Sequence, residues 1–164
     1  MRNIRLFWQI FPTCVGITLF SLLLAAWLAT TTGRTFYIDH LKEEIRERAL
    51  LIEPTITTLS RGEDRPFQDF VRQTGRRAGT RITVVDADGV VLADSNEDHS
   101  LMDNHGKRPE VEPARAGNTG YSLRHSRTVG ESMLYAAIPV KLGADNHRGA
   151  LRLAIAVTPV ETML

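Results

Sequence analysis

The sequence predicts an α+β protein: one transmembrane helix, then a soluble domain whose N-terminal helices lie on one face of a five-stranded antiparallel sheet. Three observations predict it. Leu6 to Gly33 runs twenty-eight residues without a charged side chain, bracketed by Arg5 and Arg34. An apolar stripe at helical spacing follows as far as Leu59. From Arg81 onward the apolar period drops to two, in short β-branched runs joined by Gly, Asn and Asp turns.

At about 1.5 Å per residue the first run exceeds the ~30 Å hydrocarbon core of a bilayer, so the spanning part is expected from Trp8 to Leu28. Trp8 and Phe11 at one end, and Trp27, Phe36 and Tyr37 at the other, suit interfacial belts. Pro12 falls where a helix tolerates it, in the first turns. A cleaved signal peptide is the competing reading; it has a shorter apolar core and a small-x-small cleavage site, and no clean A-x-A precedes Arg34. Arg2 and Arg5 before the span are balanced by Arg34, Lys42, Arg46 and Arg48 after it. A short basic tail held in the cytoplasm is the simpler route, which makes the soluble domain extracytoplasmic.

The 131 residues beyond Gly33 suffice for one domain. They carry eighteen Lys and Arg against nineteen Asp and Glu, a balance without pull toward nucleic acid. Cys14, inside the apolar run, is the only cysteine, so the soluble part has no disulfide and no thiol nucleophile.

Ile38, Leu41, Ile45, Ile52, Ile56 and Leu59 recur at spacings of three, four or seven, which predicts a helix continuing the span outward. Pro54 predicts a kink or restart near Glu53. Two partners for the stripe stay open: the domain's own sheet, or the same helix of a second subunit in a homodimer. Arg61-Gly62-Glu63-Asp64 ends this pattern, and Asp64 with Pro66 opens a second helix carrying Phe67, Phe70, Val71 and Thr74. Arg72, Arg76, Arg77 and Arg81 form a basic cluster, either a solvated face or an anion site.

Ile82 to Val85 and Val90 to Ala93 flank Asp86-Ala87-Asp88-Gly89, a hairpin. Asp94 to Gly120 is polar, apart from Leu101-Met102 and a short helix from Pro109 to Ala116 closed by Gly117. Tyr121 to Thr128, Met133 to Lys141 and Gly149 to Thr158 complete the sheet as a meander. In the last strand Leu151, Leu153, Ile155 and Val157 share one face, with Arg152 between them.

Asp94, Glu97, Asp98, His99, Asp103 and His105 fall within twelve residues. Such a cluster is a solvated loop, a ligand or ion contact, or an acid and base pair; it lacks HExxH and EF-hand spacing. Ser95 and Ser126 have no positional case as nucleophiles. Arg108 and Arg124 can grip carboxylate or phosphate, and Tyr135 joins them on the sheet's concave face; pairing with the acidic loop is the alternative for both arginines. The candidate ligand residues are therefore Asp94, Asp103, His105, Arg108, Arg124 and Tyr135, with no catalytic and no metal residues assigned.

The run from Val84 to Ser95 is similar to the D-x-x-G-x-v-l-x-D-S opening of PAS-like, Cache-type sensor modules. Met102 to His105, Arg108-Pro109-Glu110, then Arg124, Ser126, Met133, Tyr135, Pro139-Val140 and Gly149 to Ala154 resemble the periplasmic region of sensor histidine kinases of the phosphate-regulon type. The likeness covers about residues 80 to 160. It implies a signal-input region of a two-component sensor kinase, with residues 1–33 as tail and span, 34–79 as membrane-proximal helices, 80–158 as sensor sheet, and 159–164 as the start of a helix toward a second span. Partners implied are the membrane, a second copy, a small ligand or ion, and a cognate response regulator reached through the kinase part. ATP and Mg²⁺ would belong to that part, with no cofactor in these residues. The alternatives are the same module on a chemoreceptor or diguanylate cyclase, or a stand-alone membrane-tethered binding protein.

Overall fold

The computed structural model describes residues 2–62, 64–125 and 130–157, with side chains of 2–10 and 29–34 left aside. Glu63, Ser126 to Val129 and the expected helix start at 159–164 lie outside the described residues. The chain divides into two compact units, Met1–Asp39 and His40–Leu164.

The first unit is the opening of helix α1, Arg2–Leu59. Its stretch Phe11–Leu28 is long and apolar enough to cross a membrane, and none of it is buried. The hydroxyls of Thr18 and Ser21 donate to the carbonyls of Cys14 and Ile17, at 2.6 and 2.8 Å. These bonds satisfy the two hydroxyls inside their own helix, as an environment without water requires.

In the second unit α1 runs through Pro54 to Leu59 without the expected restart. Proline removes one bond, to the Leu50 carbonyl. Leu50 and Pro54 are both exposed, so water can take that bond and the helix continues. Ile45, Ala49 and Ile56 are completely buried, so this stripe packs within its own chain. Helix α2, Asp64–Ala78, buries Phe67, Val71 and Gly75. At Gly75 a Cβ would lie 2.4 Å from the Ser95 Cβ, so only glycine admits this close approach.

The sheet comprises β1 (Arg81–Val85), β2 (Val91–Asp94), β3 (Gly120–His125), β4 (Ser132–Leu142) and β5 (His147–Ala156), in the order β2-β1-β5-β4-β3 and antiparallel throughout. The hairpin and the meander are thus joined through β5. Asp86 Oδ1 accepts from the amides of Asp88 and Val90 at 2.8 Å, and Gly89 takes φ +88°, which closes the β1–β2 turn. Register assigns the two faces. Ile82, Val84, Ala93, Leu134, Ala136, Ile138, Leu151 and Leu153 lie on one, all buried. α2 packs against β1 and β2, and Tyr121, on the same face, feels Glu43 and Arg46 of α1. N-terminal helices on one face of a five-stranded sheet are therefore the observed architecture.

The second face carries Arg81, Thr83, Asp94, Arg124, Tyr135 and Arg152. Because β2 and β3 are the two edges, residues 95–119 must cross this face from edge to edge, which explains the length of the polar segment. It carries a 3-10 turn, His99–Leu101, and helix α3, Val111–Arg115, whose Val111 and Ala114 pack with Val85, Val91, Ala137 and Ala150.

Candidate functional site

The crossing segment is pinned above the sheet by backbone geometry. The His105 amide donates to the Gly89 carbonyl at 2.7 Å, Asn104 Nδ2 to the Asp88 carbonyl at 2.9 Å, and Arg115 Nη1 to the Gly106 carbonyl at 3.2 Å. Arg115 Nη2 also donates to the Ala87 carbonyl. At the far end Gly120 lies so close to α3 that a Cβ there would sit 2.1 Å from the Glu110 carbonyl oxygen. These constraints place Glu110, at the N-cap of α3, over the middle of the sheet. Its side chain makes no capping bond; it turns to the arginines of β3 and β5.

Glu110 is fully buried. It accepts from Arg124 Nη2 at 2.9 Å and Nη1 at 3.2 Å, a two-pronged pair. Arg152 Nε lies 3.1 Å from Glu110 Oε1. That is ion-pair distance without hydrogen-bond alignment: Arg152 Nε and Nη1 are buried with no hydrogen-bond partner among the described residues. Both guanidinium groups lie over the Tyr135 ring, at 4.1 Å for Arg124 and 4.6 Å for Arg152. Burial pushes the Arg152 guanidinium down to about 10, against the opposing pull of Glu110. It is still a cation at neutral pH.

Asp94 shares a row of the same face with Thr83 and Arg152, its side chain closed to solvent. It accepts from Arg81 Nε at 3.1 Å, Thr83 Oγ1 at 2.7 Å, and the amides of Asn96 and Glu97 at 2.9 and 3.0 Å. Burial alone would push its carboxyl up; the Asn96 amide, the Thr83 hydroxyl, Arg81 and the Glu97 amide together outweigh that and hold it below the ordinary carboxylate range.

Of the six residues singled out in the sequence, five line one cleft of about 560 Å³: Asp103, His105, Arg108, Arg124 and Tyr135. Arg81 and Arg152 complete its base, with Glu97 and Asp98 at its rim. Asp103 and Arg108 are exposed, whereas His105 is buried, its Nδ1 2.7 Å from the Asp103 carbonyl. Asp94 does not line the cleft; its four donors leave it as the support of Arg81. Arg124 pairs with Glu110 and not with the acidic loop. The carboxylates between Asp86 and Asp103 are offset locally, by Arg81 at Asp94 and by backbone amides at Asp86 and Asp98. Arg81 therefore leaves the basic cluster of Arg72, Arg76 and Arg77: as the first residue of β1 it turns to the cleft face while they stay exposed on α2.

Sequence reasoning missed Arg81, Glu110 and Arg152 as site residues. A signal existed for Arg152: an arginine between Leu151 and Leu153 in a central strand, with Ala150 and Ala154 at the alternate positions, has room only if a partner awaits it on the other face. For Glu110 there was none, since its partners are 14 and 42 residues away.

No protein-family model matches the chain, and no curated protein matches it. Solved structures do. The sensor domain of the V. cholerae histidine kinase DctB is 21% identical, with a TM-score of 0.50 over 60% of this chain and 40% of that one. The ligand-binding domain of the Pseudomonas aeruginosa PAO1 amino acid chemoreceptor PctC, in complex with GABA, is 15% identical, with a TM-score of 0.55 over 79% of this chain and 61% of that one. The chain thus spans less than two thirds of either matching chain. At these identities the likeness speaks for the fold alone: N-terminal helices on one face of a five-stranded antiparallel sheet.

Proposed function

We propose that this chain is the signal-input region of a membrane-bound two-component sensor histidine kinase and that its cleft binds a small anion outside the cytoplasm. The observation that carries the ligand reading is Arg152: 5% exposed, cationic, and with two nitrogens that lack a hydrogen-bond partner among the described residues, at the base of a cleft. A buried guanidinium in that state costs folding energy unless something completes its bonding. Arg81, Arg108 and Arg124 around the same cleft add positive potential, and Tyr135 supplies an apolar wall. Asp103 lies exposed at the entrance, and His105 is a buried part of the wall.

The apolar stretch Phe11–Leu28 supports membrane anchoring, with residues 1–33 as tail and span, 34–79 as membrane-proximal helices and 80–158 as the sensor unit. A kinase parent of the phosphate-regulon type rests on the wording of residues 84–95, 102–110 and 149–154, and ATP, Mg²⁺ and a response regulator would belong to that parent. A chemoreceptor parent is the second reading, since the ligand-binding domain of PctC shares the fold. Binding at the cleft would shift the balance between two arrangements of the sheet by the ligand's difference in affinity for them, and ~1 to 3 kcal/mol is enough to signal.

The test is calorimetric titration of the full chain in nanodiscs with acetate, succinate and phosphate, alongside Arg152→Gln. Saturable binding of at least one anion, lost in the variant, supports the reading. Absence of binding for all three, or identical isotherms for both proteins, overturns it.

A further inference from the structure

The cleft does not end at Tyr135. A second hollow of about 500 Å³ shares Arg81 and Tyr135 with it and continues along β5 toward Ala156. Its character is different. Met133, Tyr135, Ala154 and Ala156 line it on the sheet side, Gly75 and Gly79 at the α2 end bring no side chains, and Arg76, Thr80, Ser95 and Asn96 complete the lining. Register explains the floor: Arg81, Ala154 and Tyr135 pair across three strands, and Ala156 pairs with Met133 in the next row on the same face. Alternate positions of β5 thus read arginine, alanine, alanine from 152 to 156, a charge followed by two small residues. Over four residues a strand advances about 13 Å.

We propose that the ligand is a monocarboxylate with an apolar body, an aromatic ring or a medium-length alkyl chain, its carboxylate at Arg152 and its body lying over Ala154 toward Ala156 and Met133. This rests on the anion reading above and adds the ligand's class. Charge favours a single carboxylate over phosphate: Glu110 already offsets part of the charge of Arg124 and Arg152, and Glu97, Asp98 and Asp103 line the same cleft, so the second charge of a dianion finds less compensation than the first. Met133 and the two alanines offer a second carboxylate no hydrogen bond from the sheet side; Arg76, which also lines the hollow, makes succinate the decisive comparison. The two alanines leave the room; a larger residue at either position would fill it.

The full chain in nanodiscs is titrated calorimetrically with acetate, hexanoate, phenylacetate and succinate, as wild type, Ala156→Leu and Arg152→Gln. Each methylene buried against the apolar floor raises affinity about fourfold. Hexanoate and phenylacetate should therefore bind at least tenfold more tightly than acetate or succinate. Ala156→Leu, at an exposed position where folding is not at stake, should cancel that gain and leave acetate unchanged. Arg152→Gln should weaken all four. If acetate binds through Arg152 and the apolar acids bind no better, or if succinate binds best, the apolar extension is wrong and the anion site stands. If no acid binds, the anion reading has failed and the extension with it.

Discussion

Glu110 grips Arg124 with both carboxylate oxygens, at 2.9 and 3.2 Å, while its own side chain is wholly closed to solvent. The same carboxylate faces Arg152. Two guanidinium groups therefore depend on one acid in a desolvated place. Glu110→Ala should destabilise the second unit by about 3 to 5 kcal/mol, the cost of leaving buried charge uncompensated. Urea midpoints of the full chain in detergent measure it; a change under about 1 kcal/mol would mean that water compensates the arginines.

Acid should weaken the support of Arg81. In the folded state Asp94 titrates below the ordinary carboxylate range, because the Asn96 amide, Thr83, Arg81 and the Glu97 amide outweigh the effect of burial. Its contribution to stability is present above the unfolded value of about 3.9 and is lost as pH falls through the lower folded value. Asp94→Asn should lower stability at pH 7 and flatten its decline below pH 4. Denaturation midpoints at pH 7 and pH 3 for both proteins check this.

His105 works in a higher window. Burial pushes its imidazole below 6.5; the Asp103 carbonyl opposes this, and Arg152, Arg108 and Arg81 reinforce it. The folded state thus prefers neutral imidazole, so stability is complete above pH 6.5 and falls as pH drops below it, until the folded value is passed. His105→Gln should remove that slope. Midpoints at pH 7.5 and 5.5 should differ less in the variant than in the wild type.

Gly120→Ala places a methyl group 2.1 Å from the Glu110 carbonyl oxygen, a backbone atom that cannot turn aside. Overpacking of this kind costs ~1 to 3 kcal/mol. Anion affinity should fall as well, because the shift of α3 carries Glu110 away from its arginines. Unfolding midpoint and acetate titration together measure the two effects; unchanged affinity in a destabilised variant would separate α3 placement from the cleft.

Topology and pairing are tested on a Cys14→Ser background. Single cysteines at Asn118 and Asp145, both exposed, should react with a membrane-impermeant thiol reagent in intact spheroplasts. Labelling only after lysis would reverse the orientation. For a parallel homodimer, Leu51, 79% exposed, should crosslink and Ile45, completely buried, should not. Absence of crosslinks along α1 would leave the helix without a second copy.

The architecture was legible because it is written locally. The change of period at Arg81, the Asp86 to Gly89 turn and the alternation around Arg152 each report on a few neighbouring residues, and β1, β2, β4, β5 and α3 stand within two residues of their expected places. The strand order was less so, since β5 between β1 and β4 is a long-range pairing. The continuity of α1 through Pro54 depended on which side of the helix faces water. At the cleft, Tyr135, His105, Arg108 and Arg124 could be picked by residue type. Glu110 and Arg81 could not, because what makes them matter is each other's distance across the sheet from residues remote in sequence.

β5 runs through the centre of the sheet with Arg152 on the cleft side and Leu151 and Leu153, both buried, on the helix side. Adjacent side chains of one strand point to opposite faces. Any translation or twist of the strand that lets Arg152 follow an incoming anion must therefore also move two leucines in the apolar layer beneath. The sheet is one residue thick, and its central strand behaves as a tie rod, loaded on one side by charge and on the other by packing.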